Sequence, residues 1–243
     1  VQYIGTNVAN RQIGHRTSDN KDGLKIIFLG NDINYAEKGY PFLLNALKQM
    51  PLQYARKIDL VFTVKQDAGK KIKETLNAFR SVKVIRGYSH DDFPMLFDNC
   101  DLSLVPVLWE DNLPQIAIES VAYGVPVLSS TAGGASELSA NKLFTFSAGD
   151  AEDLNNKIIH FLENPNDLDS YWKYHDGLVT MKKHWDELRG YYGISTPDQV
   201  VFSKEDFAYL MEERDFLIRS FDYHYANHSR EMSIVQKGIR YLK

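Results

Sequence analysis

The sequence is poor in cysteine. Its 243 residues contain one cysteine, Cys100, which excludes an internal disulfide and any metal site built from several thiolates. The apolar text around it, LFDNCDLSLV, predicts a small buried side chain rather than a reactive thiol. A lone thiol fits a reducing compartment. We therefore expect a cytoplasmic location, with a peripheral position at the inner face of a membrane as an alternative for the complete protein.

Long apolar runs, basic charge and several catalytic motifs are also missing. No apolar run approaches the roughly 20 residues that span a bilayer. The 28 lysines and arginines against 32 acids give a net charge of -4. This charge provides no general electrostatic attraction to nucleic acid. Gly-x-Ser-x-Gly and Walker patterns are absent, and the seven histidines show no metal-type spacing. We expect a small-molecule partner, with no metal and no cofactor.

Short apolar runs alternate regularly with helical patterns. The runs are LKIIFLG, IDLVFTV, VKVIRG, DLSLVPV, VPVLSS and NKLFTFS, and the patterns between and after them are PFLLNALKQM, KKIKETLNAF, DDFPMLFDN, PQIAIESVAY and EDLNNKIIHFLEN. Runs with little polar alternation are typical of strands buried on both faces, as in parallel sheets. The alternation predicts an α/β fold: a doubly wound, parallel, Rossmann-like sheet of about six strands.

The two ends of the chain differ from this central part. Residues 1–23 are polar and aperiodic, which indicates a linker or domain-entry segment, and residues 24–164 carry the alternation. Residues 165–243 predict an α-helical C-terminal extension whose amphipathic stripes need a surface: the same chain, a missing domain, or a second copy in a homodimer. The stripe residues are Phe207, Leu210, Leu217, Phe221, Met232, Val235, Ile239 and Leu242.

Two acids frame the stretch DNLPQIAIE. Asp111 lies four residues after the strand LSLVPV, so we expect it near the carboxyl end of a strand, where doubly wound sheets bind ligands. Seven residues later, about two turns if all are helical, Glu119 falls on an apolar helix face, where an unpaired charge is costly and needs a partner. The alternatives are that Asp111 or Asn112 caps the helix and that Glu119 is a solvated surface acid.

The ordered segments D-NLPQIAI-E, SVAYGVPVLSS and TAGGASE resemble the signature of the C-terminal, donor-binding half of retaining GT-B glycosyltransferases of family 4. The similarity covers about residues 4–164. It implies transfer of a sugar from a nucleotide-diphosphate sugar, such as a UDP-sugar, to an unknown acceptor with retention, as in polysaccharide biosynthesis. The alternative is a non-catalytic module that binds a nucleotide sugar or another protein.

The resemblance assigns roles to the acids and to the start of the helix. It implies that Glu119 binds the ribose hydroxyls and that Asp111 contacts the donor sugar near the reacting carbon. Aspartate replaces the usual glutamate here, so the adjacent Glu110 is an alternative for that role. In the family, backbone amides after the first acid line the sugar and phosphate. The matching residues here are Pro114, Gln115 and Ile116, of which the proline has no amide hydrogen.

The stretch FLGNDINYAEKGY resembles the family's first strand, loop and helix, where an arginine and a lysine neutralise the diphosphate. Lys38 matches the lysine, and its alternative is simple solvation at a helix start. Asn31 stands at the arginine position, so half of this charge clamp is absent. Gly30 allows the backbone to approach the ligand closely.

Two further loops complete the resemblance. Gly87 and Tyr88 match the segment that embraces the nucleotide base, and Tyr88 either stacks on the base or packs on its own fold. The loop that lies near the donor in the family corresponds to Gly133, Gly134 and Glu137, the last of which alternatively caps the short helix that follows.

The resemblance also implies partners. GT-B enzymes use two Rossmann-like domains with the active site between them, and only one is expected in these 243 residues. The segment IGTNV resembles the point at which the chain enters this second domain. We expect a saccharide or lipid-linked acceptor to need the missing N-terminal domain, and the 243 residues alone to be inactive.

Overall fold

A computed structural model describes residues 23–30, 36–64, 68–178 and 181–192. Within them six strands form one sheet in the order β3-β2-β1-β4-β5-β6, and every neighbouring pair is parallel. The predicted doubly wound sheet is therefore confirmed. The strands are β1 (Leu24–Leu29), β2 (Ile58–Val64), β3 (Ser81–Arg86), β4 (Leu102–Val105), β5 (Val127–Ser130) and β6 (Thr145–Phe146).

Helices follow the strands as the sequence patterns predict, and further helices occur after residue 164. They are α1 (Tyr40–Lys48), α2 (Leu52–Ala55), α3 (Gly69–Thr75), α4 (Phe93–Leu96), α5 (Gln115–Ala122), α6 (Ala151–Glu163), α7 (Ser170–Lys173) and α8 (Met181–Tyr192). Short 3-10 helices cover Ala36–Lys38, His90–Asp92, Gly134–Leu138, Lys142–Phe144 and Pro165–Asp169. No helix in these described ranges is long and apolar enough to cross a bilayer.

The central strands β1, β2, β4 and β5 are buried on both faces. In β1, Phe28 belongs to the larger core cluster, while Ile27 and Leu29 belong to a smaller cluster on the other face. Alternate side chains of a strand point to opposite faces, so a strand covered twice must be apolar throughout. Cys100 lies in the smaller cluster with 2% exposure, which confirms the predicted buried cysteine.

The strand order places a crevice between β1 and β4. From β1 the chain winds outward to β2 and β3, then returns to β4 on the other side and continues to β5 and β6. The loops that leave the carboxyl ends of β1 and β4 therefore diverge, and such a switch point is where doubly wound sheets bind ligands.

Helix α5 is attached to β4 by a buried pair of hydroxyls. Ser120 Oγ lies 2.8 Å from Ser103 Oγ and 2.7 Å from the carbonyl oxygen of Ile116. Neither serine is exposed. This contact fixes the rotation of α5 about its axis, and with it the direction of the neighbouring Glu119 side chain.

We expect Ser120→Ala to lower the free energy of unfolding by about 1 to 2 kcal/mol, because the Ser103 hydroxyl stays buried and loses this partner. The double variant with Ser103→Ala should cost less than the sum of the single variants, since no buried hydroxyl of the pair remains. Denaturant unfolding measures both. Ser136→Ala, at a half-buried hydroxyl that bonds to the Gly133 carbonyl, is the control, and strictly additive costs would contradict the pairing.

Packing continues beyond residue 164. Leu168 and Tyr171 belong to the larger core cluster, and His175 Nδ1 lies 2.5 Å from the carbonyl oxygen of Leu138. The boundaries 1–23, 24–164 and 165–243 remain predictions. The proposed tail stripes and the homodimer through them lie in residues 203–243, outside the described ranges.

Candidate functional site

An ion pair lies at the carboxyl ends of β1 and β4. Lys38 Nζ is 2.6 Å from Asp111 Oδ2, and the two side chains are 49% and 15% exposed. Lys38 ends the 3-10 helix after β1, and Asp111 lies in the loop after β4. The structure therefore brings together the two residues that the resemblance assigned to catalysis. Lys38 has a specific anionic partner although its side chain is half-exposed.

The backbone fixes Lys38 beside the β4 loop. Gly39 has φ of 76°, and a Cβ atom there would lie 1.6 Å from the carbonyl oxygen of Pro106. Only glycine tolerates both this conformation and this approach. In addition, the Leu108 amide donates to the Glu37 carbonyl oxygen at 2.8 Å. The two loops are thus joined on both sides of Lys38.

Trp109 is a site residue that the sequence analysis missed. Its ring centroid lies 5.3 Å from Lys38 Nζ, within the range of a cation–π contact. The side chain is 48% exposed although it is large and apolar. The available signal was an exposed aromatic residue directly between the end of β4 and Asp111.

The loop after β5 supports Asp111 from behind. The Gly134 amide donates to the Asp111 carbonyl oxygen at 2.8 Å. A Cβ atom on Gly133 would lie 2.3 Å from the same oxygen, and Gly133 has φ of 81°. This glycine pair, predicted to lie near the donor, thus packs directly against the backbone of Asp111. Glu137 lies exposed within the 3-10 helix Gly134–Leu138, whose N-cap is Gly133, so the capping alternative for Glu137 is wrong.

The start of α5 corrects one sequence alternative. The N-cap is Pro114 and the helix begins at Gln115, so neither Asp111 nor Asn112 caps it. The chain from Asp111 to Glu119 is consequently a loop followed by helix. The amides of Gln115 and Ile116 lie in the first turn, where the helix has no earlier carbonyl to accept their hydrogen bonds. The helix dipole also favours anions at this end.

Glu119 is buried and paired. It is 4% exposed, so the alternative of a solvated surface acid is wrong. Its Oε1 lies 3.2 Å from His90 Nε2, which supplies the partner that the sequence analysis required but did not identify. Burial raises the pKa of the Glu119 carboxyl, and the His90 imidazole opposes that rise.

Gly87 and Tyr88 lie next to this acid. Gly87 has φ of 70°, and a Cβ atom there would meet nothing within 4 Å, so the backbone is open on that side. Tyr88 is half-buried with its ring centroid 5.6 Å from that of Phe93. Burial, with a smaller contribution from Glu119, raises the pKa of the phenol to about 12. Tyr88 thus contacts the Phe93 ring, keeps part of its surface exposed, and remains neutral beside Glu119.

The remaining predicted residues are Gly30, Glu110 and Asn31. The Gly30 amide donates to the Thr63 carbonyl oxygen at 3.1 Å, and Thr63 Oγ1 donates to the Gly30 carbonyl oxygen at 3.1 Å. These bonds tie the end of β1 to β2. Glu110 is exposed beside Asp111. Asn31 lies outside the described ranges.

The assembled site has two parts. Asp111, in the loop before α5, pairs with Lys38, whereas Glu119, on α5 itself, contacts His90 from the turn after β3. From Gln115 to Glu119 the helix rises about 6 Å. The arrangement offers a cation and free amides at one end and a buried carboxylate at the other. This is the chemistry required by a ligand with a phosphate part and a hydroxyl-rich part.

The chain is similar to one protein family in sequence and to several solved structures in fold. The sequence profile of the family described as glycosyl transferases group 1 matches residues 11–176. No curated protein sequence matches the chain.

Solved structures share the fold over slightly more than half of their own lengths. The Anabaena protein HepE in complex with UDP and glucose has 18% identity and a TM-score of 0.61, covering 80% of this chain and 56% of that one. Sucrose-phosphate synthase from Thermosynechococcus elongatus has 18% identity and a TM-score of 0.57, covering 78% and 51%. The lipopolysaccharide outer core galactosyltransferase WaaB in its apo form has 13% identity and a TM-score of 0.59, covering 79% and 55%.

Proposed function

The chain belongs to the glycosyl transferases group 1 family, and we propose that its sheet domain binds the nucleotide-diphosphate sugar from which the complete protein transfers a sugar with retention. The observation that carries this proposal is the placement of the Lys38–Asp111 pair and the buried Glu119 along α5 at the sheet's switch point. The acceptor, a saccharide or a lipid-linked molecule, is proposed to bind with the help of a second, N-terminal domain.

The diphosphate is proposed to bind between Lys38 and the first turn of α5. As the glycosidic bond breaks, negative charge grows on the leaving diphosphate, and a positioned ammonium and free amides stabilise it. Lys38 is already held in place by Asp111, so the donor exchanges one anionic partner of the ammonium for another. The amides of Gln115 and Ile116 are available for this purpose, whereas Pro114 has none to offer.

Asp111 is proposed to face the donor sugar. When Lys38 turns to the phosphate, the Asp111 carboxylate is released to accept hydrogen bonds from sugar hydroxyls. Its backbone stays fixed by Gly133 and Gly134. Glu110, adjacent to Asp111, and Glu137, three residues after Gly134, are both exposed and are proposed to contact the sugar from the rim of the site.

The nucleoside is proposed to bind at the other part of the site. A buried carboxylate at Glu119 suits the paired hydroxyls of a ribose, because charge-assisted hydrogen bonds are strong where water is excluded. The open backbone at Gly87 and the Tyr88 ring would lie against the base. HepE was solved with UDP and glucose, which supports a UDP-sugar as the first donor to test.

Asn31→Arg provides a test of the phosphate assignment. We expect UDP to bind about 10-fold more tightly, because a guanidinium adds charge-assisted hydrogen bonds to the diphosphate. Uridine affinity should not change. Calorimetric titration measures both, and Asn45→Arg, at an exposed position on α1, is the matched control. Equal gains for UDP and uridine, or no gain for UDP, would contradict the placement of Asn31 at the phosphates.

The activity is tested with the complete protein and a panel of UDP-, GDP- and ADP-sugars. We expect turnover of one donor, and NMR of the first product should show the anomeric configuration of the donor retained. Product of opposite configuration would contradict retention. Tight binding of a nucleotide sugar without turnover for any acceptor tried would instead favour the alternative, a non-catalytic nucleotide-sugar-binding module.

A further inference from the structure

The His90 imidazole lies on the solvent side of the Glu119 carboxylate. The two side chains are 76% and 6% exposed, with 3.2 Å between His90 Nε2 and Glu119 Oε1. The imidazole therefore lies at the boundary between this buried carboxylate and solvent. The sequence resemblance gives His90 no role.

His90 is held in this position by its own turn. A capping box connects Ser89 and Asp92 on either side of it, with the Ser89 amide donating to Asp92 Oδ2 at 2.8 Å. The imidazole also stands edge-on against the buried Phe93 ring, with 5.1 Å between centroids. The imidazole thus packs on the Phe93 ring, and the capping box fixes the backbone that carries it. Such support is expected of a permanent partner of Glu119.

We propose that His90 is a positioning residue of the ribose site: it holds Oε1 of Glu119 and thereby directs Oε2 toward the ribose hydroxyls. This inference rests on the proposed function, because it concerns the ribose assigned to Glu119. It predicts that His90 sets how strongly the protein prefers ribonucleotides to nucleotides that lack the ribose hydroxyls.

The charge balance at Glu119 supports the same role. Burial raises the pKa of the Glu119 carboxyl and the His90 imidazole opposes the rise. Tyr88 is also in electrostatic contact with Glu119, and its phenol is neutral. Without His90, Glu119 takes up a proton at a higher pH. A protonated carboxyl is a poorer acceptor for ribose hydroxyls.

The test compares UDP with its 2′,3′-dideoxy analogue by calorimetry on the 243-residue chain. The parent should prefer UDP by about 10- to 100-fold, the range of a hydrogen bond to a charged group. His90→Ala should reduce that preference to below about 3-fold, and His90→Gln, whose amide still donates to Glu119, should keep most of it. A merely structural role would weaken both ligands equally and leave the preference unchanged.

The pH dependence is a second readout. On acidification, the His90→Ala protein should lose UDP affinity at a higher pH than the parent. His160→Ala is the matched control, because it removes another histidine–carboxylate contact, of 2.8 Å with Asp167, on α6. That variant should match the parent in both measurements.

The outcomes separate this inference from the function it rests on. An unchanged preference and pH curve in both His90 variants, while Glu119→Gln abolishes the preference, would overturn the role of His90 alone. Equal binding of UDP and its analogue by the parent, or no nucleotide binding at all, would overturn the ribose site and this inference together. If His90→Ala does not fold, a parent-like preference in His90→Gln with loss in His90→Leu supports the proposal, and parent-like preference in both overturns it.

Discussion

Glu119→Gln is expected to lower UDP affinity by about 10- to 100-fold, that is about 1.5 to 3 kcal/mol, and to raise the melting temperature of the free protein at pH 7. The loss of affinity follows from replacing a charged acceptor for the ribose hydroxyls by a neutral amide. The gain in stability follows from burial, because a charged carboxylate inside the fold is less well solvated than in the unfolded chain.

The sign of the stability change follows from the pKa. Burial raises the pKa of Glu119 in the folded state, so the folded state favours the protonated form. The stability contributed by that preference is present at low pH and is lost as the pH rises through the folded-state pKa. Glutamine mimics the protonated form at every pH. The variant should therefore be more stable than the parent at pH 7, and this difference should shrink in acid.

Calorimetry and thermal unfolding measure the two effects, and Glu152→Gln, at an exposed acid on α6, should change neither. The combination is informative because the change in melting temperature has opposite signs in the two cases. Replacing an acid that stabilises the fold lowers the melting temperature, whereas replacing a buried acid that binds a ligand raises it. A large fall in melting temperature without ligand would make Glu119 structural. Unchanged affinity for every nucleotide that binds the parent would remove it from the site.

Lys38→Ala is expected to lower the affinity for UDP by about 10-fold while changing the affinity for uridine by less than about 2-fold. The ammonium acts on phosphate charge, and the nucleoside carries none. Stability should change by less than about 1 kcal/mol, because the Lys38 side chain is 49% exposed and ion pairs with an exposed partner contribute little.

The matched control for Lys38 is Lys48→Ala, at an exposed lysine in the last turn of α1. It removes the same charge from the protein without touching the site, so it corrects for the change in net charge. Equal losses of UDP and uridine affinity in Lys38→Ala would show that the lysine supports the fold of the site rather than the phosphates.

The sheet and much of the site could be predicted from the sequence because the relevant signals are local. Each buried strand is a short apolar run, and Glu119 stands out as a charge on an apolar helix face. Helix α2 was missed because its four residues, LQYA, are too few to show a period. The helix-capping alternatives failed because a proline served as N-cap without a side-chain hydrogen bond.

The contacts between site residues could not be predicted, because they depend on how distant loops meet. Lys38 and Asp111 are 73 residues apart, and their pairing requires the close approach of Gly39 to Pro106. His90 is an exposed histidine in a polar turn, and nothing local indicates that this turn packs over α5. The contact of Trp109 with the Lys38 ammonium likewise depends on the position of Lys38, which is distant in sequence.

A crystal structure of the chain with UDP bound tests the central claim most directly. We predict ribose hydroxyls about 3 Å from the Glu119 carboxylate, a hydrogen-bond distance. The diphosphate should lie at Lys38 Nζ and the first turn of α5, with the base beside Gly87 and Tyr88. UDP bound elsewhere, with the Lys38–Asp111 pair unchanged and no ligand atom at the Glu119 carboxylate, would contradict the account.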